Sequence, residues 1–168
     1  DLANNIGNLA QRTLSMIAKN CDQAVPQRDD SKLQPQDHAL MELVRVTDPE
    51  TAARARHQMQ TCKFGEVMGA ILTMASTANE YIDREAPWTL RKEEKLERME
   101  EVLYALCEGM RLIAIALQPF MPDSMAQLLD MLAVPENERT FAHMSGEYAL
   151  KPGTPLPTPV ALFPRLEA

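Results

Sequence analysis

The chain is 168 residues long and 45% hydrophobic, enough for one globular domain with a core of its own. Its 24 acidic residues outnumber 17 basic ones for a formal charge of -7, which excludes nucleic-acid binding through a general basic surface and leaves only local recognition. No apolar run approaches the roughly 18–20 residues that cross a bilayer, no basic-then-apolar leader opens the chain, and Cys21, Cys62 and Cys107 stand far apart without metal-ligand spacing, so a cytoplasmic protein with reduced thiols and no metal site is expected.

In chain order, Leu2, Ile6, Leu9, Thr13, Met16 and Ile17 recur at spacings of three and four, one helical stripe at about 100° per residue. The period is already running beside Asp1, which reads as a piece of a longer polypeptide with a domain upstream. Asn8 and Arg12 lie roughly 80–120° off the stripe and share a flank with Asn5, Ser15 and Lys19. Periodicity alone makes that flank a solvent-facing or locally paired edge, or a binding edge. VPQRDDSKLQP is a polar loop, after which Pro35 is expected in the first turn of a short helix carrying Leu40, Leu43 and Val44. Asp48, Pro49 and Glu50 predict the start of a helix running to about Gln60.

CKFGEVMGAILTMASTANEYIDREA places Phe64, Val67, Met68, Ile71, Leu72 and Ala75 on one side and is expected to be the most buried helix, ended near Glu85 by Pro87. From about Leu90 a long amphipathic helix shows Leu96, Met99, Leu103, Leu106, Met110, Ile113 and Leu117 and stops at Pro119. Its early charges, RKEEKLERMEE, read as a solvated face, and Cys107 falls on its apolar side. Asp123 is expected to cap a short helix bearing Met125, Leu128, Leu129 and Leu132, closed by Pro135. The tail KPGTPLPTPVALFPRLEA holds five prolines and is expected to be extended, anchored by Leu162 and Phe163.

With no strand alternation and no repeat, the fold class is all-α: a helical bundle over 1–134 with a proline-rich tail over 135–168. The glycines are scattered, and no His, Cys or Ser stands in a nucleophile or metal pattern, so no catalytic residue is expected. The eleven methionines read as core filler. Trp88, the only tryptophan, follows Pro87 at a helix break in NEYIDREAPW, either as a corner of the core or with a ring face open to a ligand. An aromatic beside Arg and Asn offers an unpaired base a stacking surface and hydrogen bonds along its edge. The competing class is a helical protein-interaction module with Trp88 in its core.

DLANNIGNLAQRTLSMI, NEYIDREAPWTLRKE, LIAIALQPFMPDSMAQLLDML and PGTPLPTPVALFPRLE resemble, in that order, the C-terminal part of bacterial methionyl-tRNA synthetases. The resemblance covers nearly the whole chain and is weakest between about residues 22 and 60. The valine, isoleucine, leucine and cysteine enzymes share a helical anticodon-binding domain, but PFMP before DSMAQLLDML, with the PGTPL and LFPR segments, is similar to the methionine enzyme. The resemblance implies a bundle of the class I synthetase anticodon-binding type. Asn8 and Arg12 match the pair that contacts the anticodon, and Trp88 the tryptophan on which its first base, a cytosine, stacks; Asn79, Tyr81 and Pro87 fix the helix end beside it. It implies recognition of the CAU anticodon of initiator and elongator tRNA-Met, with no DNA or membrane partner. It also implies an upstream catalytic domain that uses ATP with Mg, whose HIGH and KMSKS motifs and zinc-knuckle cysteines are not in this chain. No cofactor is therefore expected in this segment. The tail is expected to pack back on the bundle or on that domain, and the end at Ala168 to leave a monomer.

Overall fold

The first apolar stripe is realised as a π-helical turn, Ala3–Gly7, running into helix α1, Asn8–Asn20. The computed structural model describes residues 3–44, 57–58, 60–61 and 63–163, and within this segment Ile6, Leu9, Ala10, Thr13, Leu14 and Ile17 are buried. Helix α2, Pro35–Val44, begins at the expected proline, whose missing N–H would have gone unbonded in a first turn anyway. The helix expected from Asp48 to about Gln60 lies largely outside the described residues. Then follow α3, Phe64–Glu85; α4, Pro87–Lys92; α5, Leu96–Leu117; and α6, Pro122–Met131. Short 3-10 turns at Glu136–Glu138, Phe141–Met144 and Gly146–Tyr148 lead into the tail.

The most buried helix is α5 rather than α3. Every residue from Glu101 to Leu117 is buried, and α1, α2, α3, α4 and α6 all pack against this helix. The reason is that α5 is apolar or small nearly all round, as a central helix must be, whereas α3 has one apolar stripe only. The first two turns of α3 stay largely outside the core: Phe64 is 45% exposed, and Val67 packs only partly buried against it. The single helix expected from about Leu90 is two. Glu94 takes a left-handed conformation (φ 59°), and Lys95 N–H closes back on the Leu90 carbonyl at 3.0 Å, so the chain turns between α4 and α5. Asp123 does not cap α6: Pro122 opens that helix and no side chain caps it.

The charged run RKEEKLERMEE is not solvated throughout. Arg98 and Glu101 turn inward, their side chains only 15% and 7% exposed. They join Asp37 of α2, which is fully buried, and Glu85 at the end of α3. The Asp37 carboxylate accepts from Arg98 Nη1 (2.5 Å) and Nη2 (2.9 Å), the Tyr81 hydroxyl (2.5 Å) and the Gln34 N–H (2.8 Å). Burial opposes its ionisation, but these donors and the Arg98 charge outweigh that and hold the carboxyl below its usual range. A second buried pair lies in the apolar stretch of α5: Arg111 donates to Glu108 through Nε (2.9 Å) and Nη2 (2.6 Å), both side chains fully buried. The pair also holds the segment after α6, since Arg111 Nη1 donates to the His143 carbonyl (2.7 Å) and Glu108 accepts the Leu150 N–H (3.2 Å).

The extended tail pairs with the loop after α1. Val25 N–H donates to the Thr154 carbonyl, Gly153 N–H to Val25, and Leu156 N–H to Gln23, each at 2.8 Å. Leu162 is buried as expected, and Phe163 packs over Gly7, where a Cβ would stand 3.0 Å from the Phe163 ring. Cys107 is buried, which pushes its thiol up; burial, then Glu100 and Asp22, push that of Cys21 up to about 12. Both thiols therefore stay protonated and unreactive at neutral pH.

Two predictions concern stability. Thr13 Oγ1 is buried without a hydrogen-bond partner among the described residues. The isosteric Thr13→Val removes that desolvated hydroxyl and is expected to raise unfolding free energy by roughly 1 kcal/mol in urea titrations. Because the Asp37 pKa is lower folded than unfolded, its contribution is full above the ordinary carboxylate value of 3.8 and is lost as pH falls below it through the folded value. The stability gap between the wild type and Asp37→Asn is therefore expected to be constant above about pH 5 and to narrow below pH 4, measured by denaturant unfolding at each pH.

Candidate nucleic-acid interface

The candidate site lies where α1 passes the α3–α4 break. Pro87 disfavours right-handed helical geometry in the residue before it, and Ala86 sits in the left-handed region at φ 44°, ψ 62°. That conformation costs an alanine roughly 1–2 kcal/mol. Hydrogen bonds on both sides hold it. Ala86 N–H donates to the Ile82 carbonyl (3.0 Å), closing α3, while its own carbonyl accepts from Thr89 (2.7 Å) and Leu90 (3.2 Å), opening α4. Trp88, the second residue of α4, leaves the break half-buried against the core.

Arg12 comes to it from α1. Its guanidinium carbon stands 4.9 Å from the centre of the Trp88 ring, and its Nη2 donates to Asp83 Oδ1 at 2.5 Å. Asp83 lies on the last turn of α3, so three elements meet in one indole, guanidinium and carboxylate stack. No local pattern singles out Asp83; its spacing of two from Tyr81 and five from Trp88 becomes meaningful only once α1 is laid against α3. Asn8, one turn before Arg12, is exposed and its amide has no partner among the described residues. The structure thus brings Arg12 and Trp88 into contact and leaves Asn8 open beside them.

The supporting residues face elsewhere. Asn79 donates to the carbonyl (3.1 Å) and side-chain Oδ1 (2.7 Å) of Asn5, and Asn5 donates to Ser76 Oγ (3.0 Å), sealing the π-helical turn before α1 to α3. Tyr81 is buried, and desolvation, with the Asp37 carboxylate as acceptor, pushes its hydroxyl pKa up. Pro87 is buried and begins α4. Further along, Arg91 Nε donates to Asn20 Oδ1 at 3.0 Å, tying the end of α1 to the end of α4, beside exposed Lys19 and Lys92. Chemically the site offers a planar cation laid over a half-buried indole, and an unengaged amide, with exposed ammonium groups near the ends of α1 and α4. Among the described residues no three His, Cys, Asp or Glu side chains are grouped to hold a metal ion, and no helix is long and apolar enough to cross a membrane.

Residues 25–168 match the family described as the anticodon binding domain of methionyl tRNA ligase. The chain is 45% identical over 167 residues to the methionine–tRNA ligase of Mesorhizobium japonicum, covering 98% of this chain and 31% of that protein. It is 42% identical over 168 residues to that of Rhizobium meliloti, covering 100% and 31%. Among solved structures, the apo form of Mycobacterium tuberculosis methionyl-tRNA synthetase superposes with a TM-score of 0.88 at 38% identity, covering 100% of this chain and 33% of that one. The same enzyme bound by methionyl-adenylate gives 0.87 at 38% identity, covering 98% and 32%. The chain therefore spans about a third of the length of the curated relatives it matches.

The Arg12 contacts are partly exposed, so each is worth little to the fold. Arg12→Ala and Asp83→Asn are each expected to change unfolding free energy by no more than about 1 kcal/mol. Removing the guanidinium uncovers the indole, so acrylamide quenching of the single tryptophan is expected to rise clearly in Arg12→Ala.

Proposed function

Since the chain belongs to the anticodon-binding domain family of methionyl-tRNA ligase, we propose that it reads the CAU anticodon of initiator and elongator tRNA-Met. The observation that carries this reading is the meeting of Arg12 with Trp88, and with Asp83 71 residues away in sequence, in one cluster at a helix break. In this reading the leading cytosine stacks on the indole–guanidinium pair, since both the aromatic face and the guanidinium plane accept a base. The Asn8 amide supplies a donor and an acceptor to the base edge, and the remaining N–H groups of Arg12 reach a carbonyl or phosphate oxygen. Asn79, Tyr81 and Pro87 act through the framework, and Arg91 and Lys92 are backbone contacts at most.

The larger protein is proposed to be a cytoplasmic, monomeric methionine–tRNA ligase. A catalytic domain on the same polypeptide would carry out ATP-dependent, Mg-assisted aminoacylation, and this segment would supply no catalytic residue and hold no cofactor. The bundle, residues 1–134, would hold the anticodon end while the acceptor end lies in the distant active site; residues 135–168 form the closing tail. With a charge of -7 the chain itself makes few phosphate contacts, so affinity is modest and discrimination is the proper readout.

At one fixed moderate salt concentration, a CAU anticodon stem-loop is expected to bind more tightly than the same stem-loop with UAU. Trp88→Ala is expected to weaken CAU binding by about one to two orders of magnitude, the equivalent of one lost stacking contact. Equal binding of CAU and UAU would overturn the reading, and a Trp88→Ala protein that loses stability but no RNA affinity would favour an interaction module instead.

A further inference from the structure

Arg98 reaches further than its place in a charged run suggests. Its Nη2 is shared between Asp37 Oδ1 (2.9 Å) and Glu85 Oε2 (2.7 Å), while Nη1 donates to Asp37 Oδ2 (2.5 Å) and Glu101 Oε2 (3.3 Å). Glu85 is the last residue of α3, followed at once by left-handed Ala86, Pro87 and Trp88. Arg98 is in the first turn of α5. Helix α4 is thus a six-residue excursion whose two roots are joined through a single guanidinium. Tyr81 and Glu85, one turn apart, face this cluster, while Asp83 between them is turned to Arg12 on the other side. The last turn of α3 therefore has the buried cluster behind it and the Trp88 stack before it.

We propose that Arg98 is a positioning residue for Trp88: through Glu85 it fixes the end of α3 and the left-handed turn after it, so that the indole stays beneath Arg12. The proposal deepens the anticodon reading and rests on it for its functional consequence. One feature of the cluster requires an arginine, and a second requires a cation. The planar fork engages Asp37 with both Nη nitrogens and still reaches Glu85 through Nη2, which a lysine ammonium cannot do. It also stands among three carboxylates, those of Asp37, Glu85 and Glu101, which repel one another once the cation is displaced. Asp37 in turn is held by the Tyr81 hydroxyl and the Gln34 N–H, so the fork has a fixed base from which to act.

The test uses Glu85→Gln, which keeps the side chain's size and leaves the Arg98–Asp37 pair in place, together with Arg98→Lys. Leu128→Ala, a truncation of a fully buried residue in α6, serves as a control for lowered stability alone. Each protein is measured for melting temperature, acrylamide quenching of its one tryptophan, and binding of CAU and UAU stem-loops. Glu85→Gln and Arg98→Lys are expected to raise the quenching of Trp88 and to lower CAU affinity about tenfold, while Leu128→Ala lowers the melting temperature and moves neither. Wild-type quenching and CAU affinity in the folded Glu85→Gln protein would overturn the proposal, as would equal changes in Leu128→Ala. Should Arg98→Lys fail to fold, Glu85→Gln decides. Should the wild type bind CAU and UAU equally, the anticodon reading falls, and the quenching measurement alone still decides whether Arg98 positions Trp88.

Discussion

The structure depends on a stretch of one helix, Glu101 to Leu117 of α5, that has no face to water. The backbone there is wrapped on all sides, so each charged residue it carries has to find its counter-charge inside the protein. Glu101 does so in the Arg98 and Asp37 cluster, and Glu108 with Arg111 in a bidentate fork. These two clusters divide the work of the bundle. The Glu108–Arg111 pair holds the His143 and Leu150 backbone, and with it the start of the tail, while the Arg98 cluster binds the end of α3. The polar groups in the core thus fix where the connecting segments go, and apolar packing alone would leave those directions open.

The candidate site is built on the opposite kind of chemistry. Its backbone is in an unfavourable region at Ala86, its side chains are partly exposed, and its contacts are individually weak. A strained turn of this kind persists when its surroundings over-determine it. Here they do: α3 is closed by the Ala86 N–H, α4 is opened by the Ala86 carbonyl, the Asn5–Asn79 bond ties the turn before α1 to α3, and Asn20 ties the end of α1 to α4. Rigidity comes from behind the site, and the groups that would touch a ligand remain free to re-pair.

Charge distribution fits that division. An acidic chain cannot gather affinity from a long series of phosphate contacts, and its Arg12 is already neutralised by Asp83. What the site has to offer is specific instead: a guanidinium plane laid on a ring, and an amide with no partner among the described residues. Groups of this kind distinguish one base from another more than they add to overall attraction.

Much of this was legible from residue order alone, because helical period, proline position and composition are local properties. The α1 stripe, the start of α2 at Pro35, the end of α3 before Pro87, the burial of Cys107 and Leu162, and the family itself could all be read there. What the tertiary structure decided were the partners of charged residues. Arg12 finds Asp83 across 71 residues and Arg98 finds Asp37 across 61, and no local pattern encodes either pairing. The same holds for which of two apolar helices becomes the centre. An apolar stripe says which face is buried, whereas burial of the remaining faces depends on how many other elements pack there, and that is settled only when the whole chain has folded.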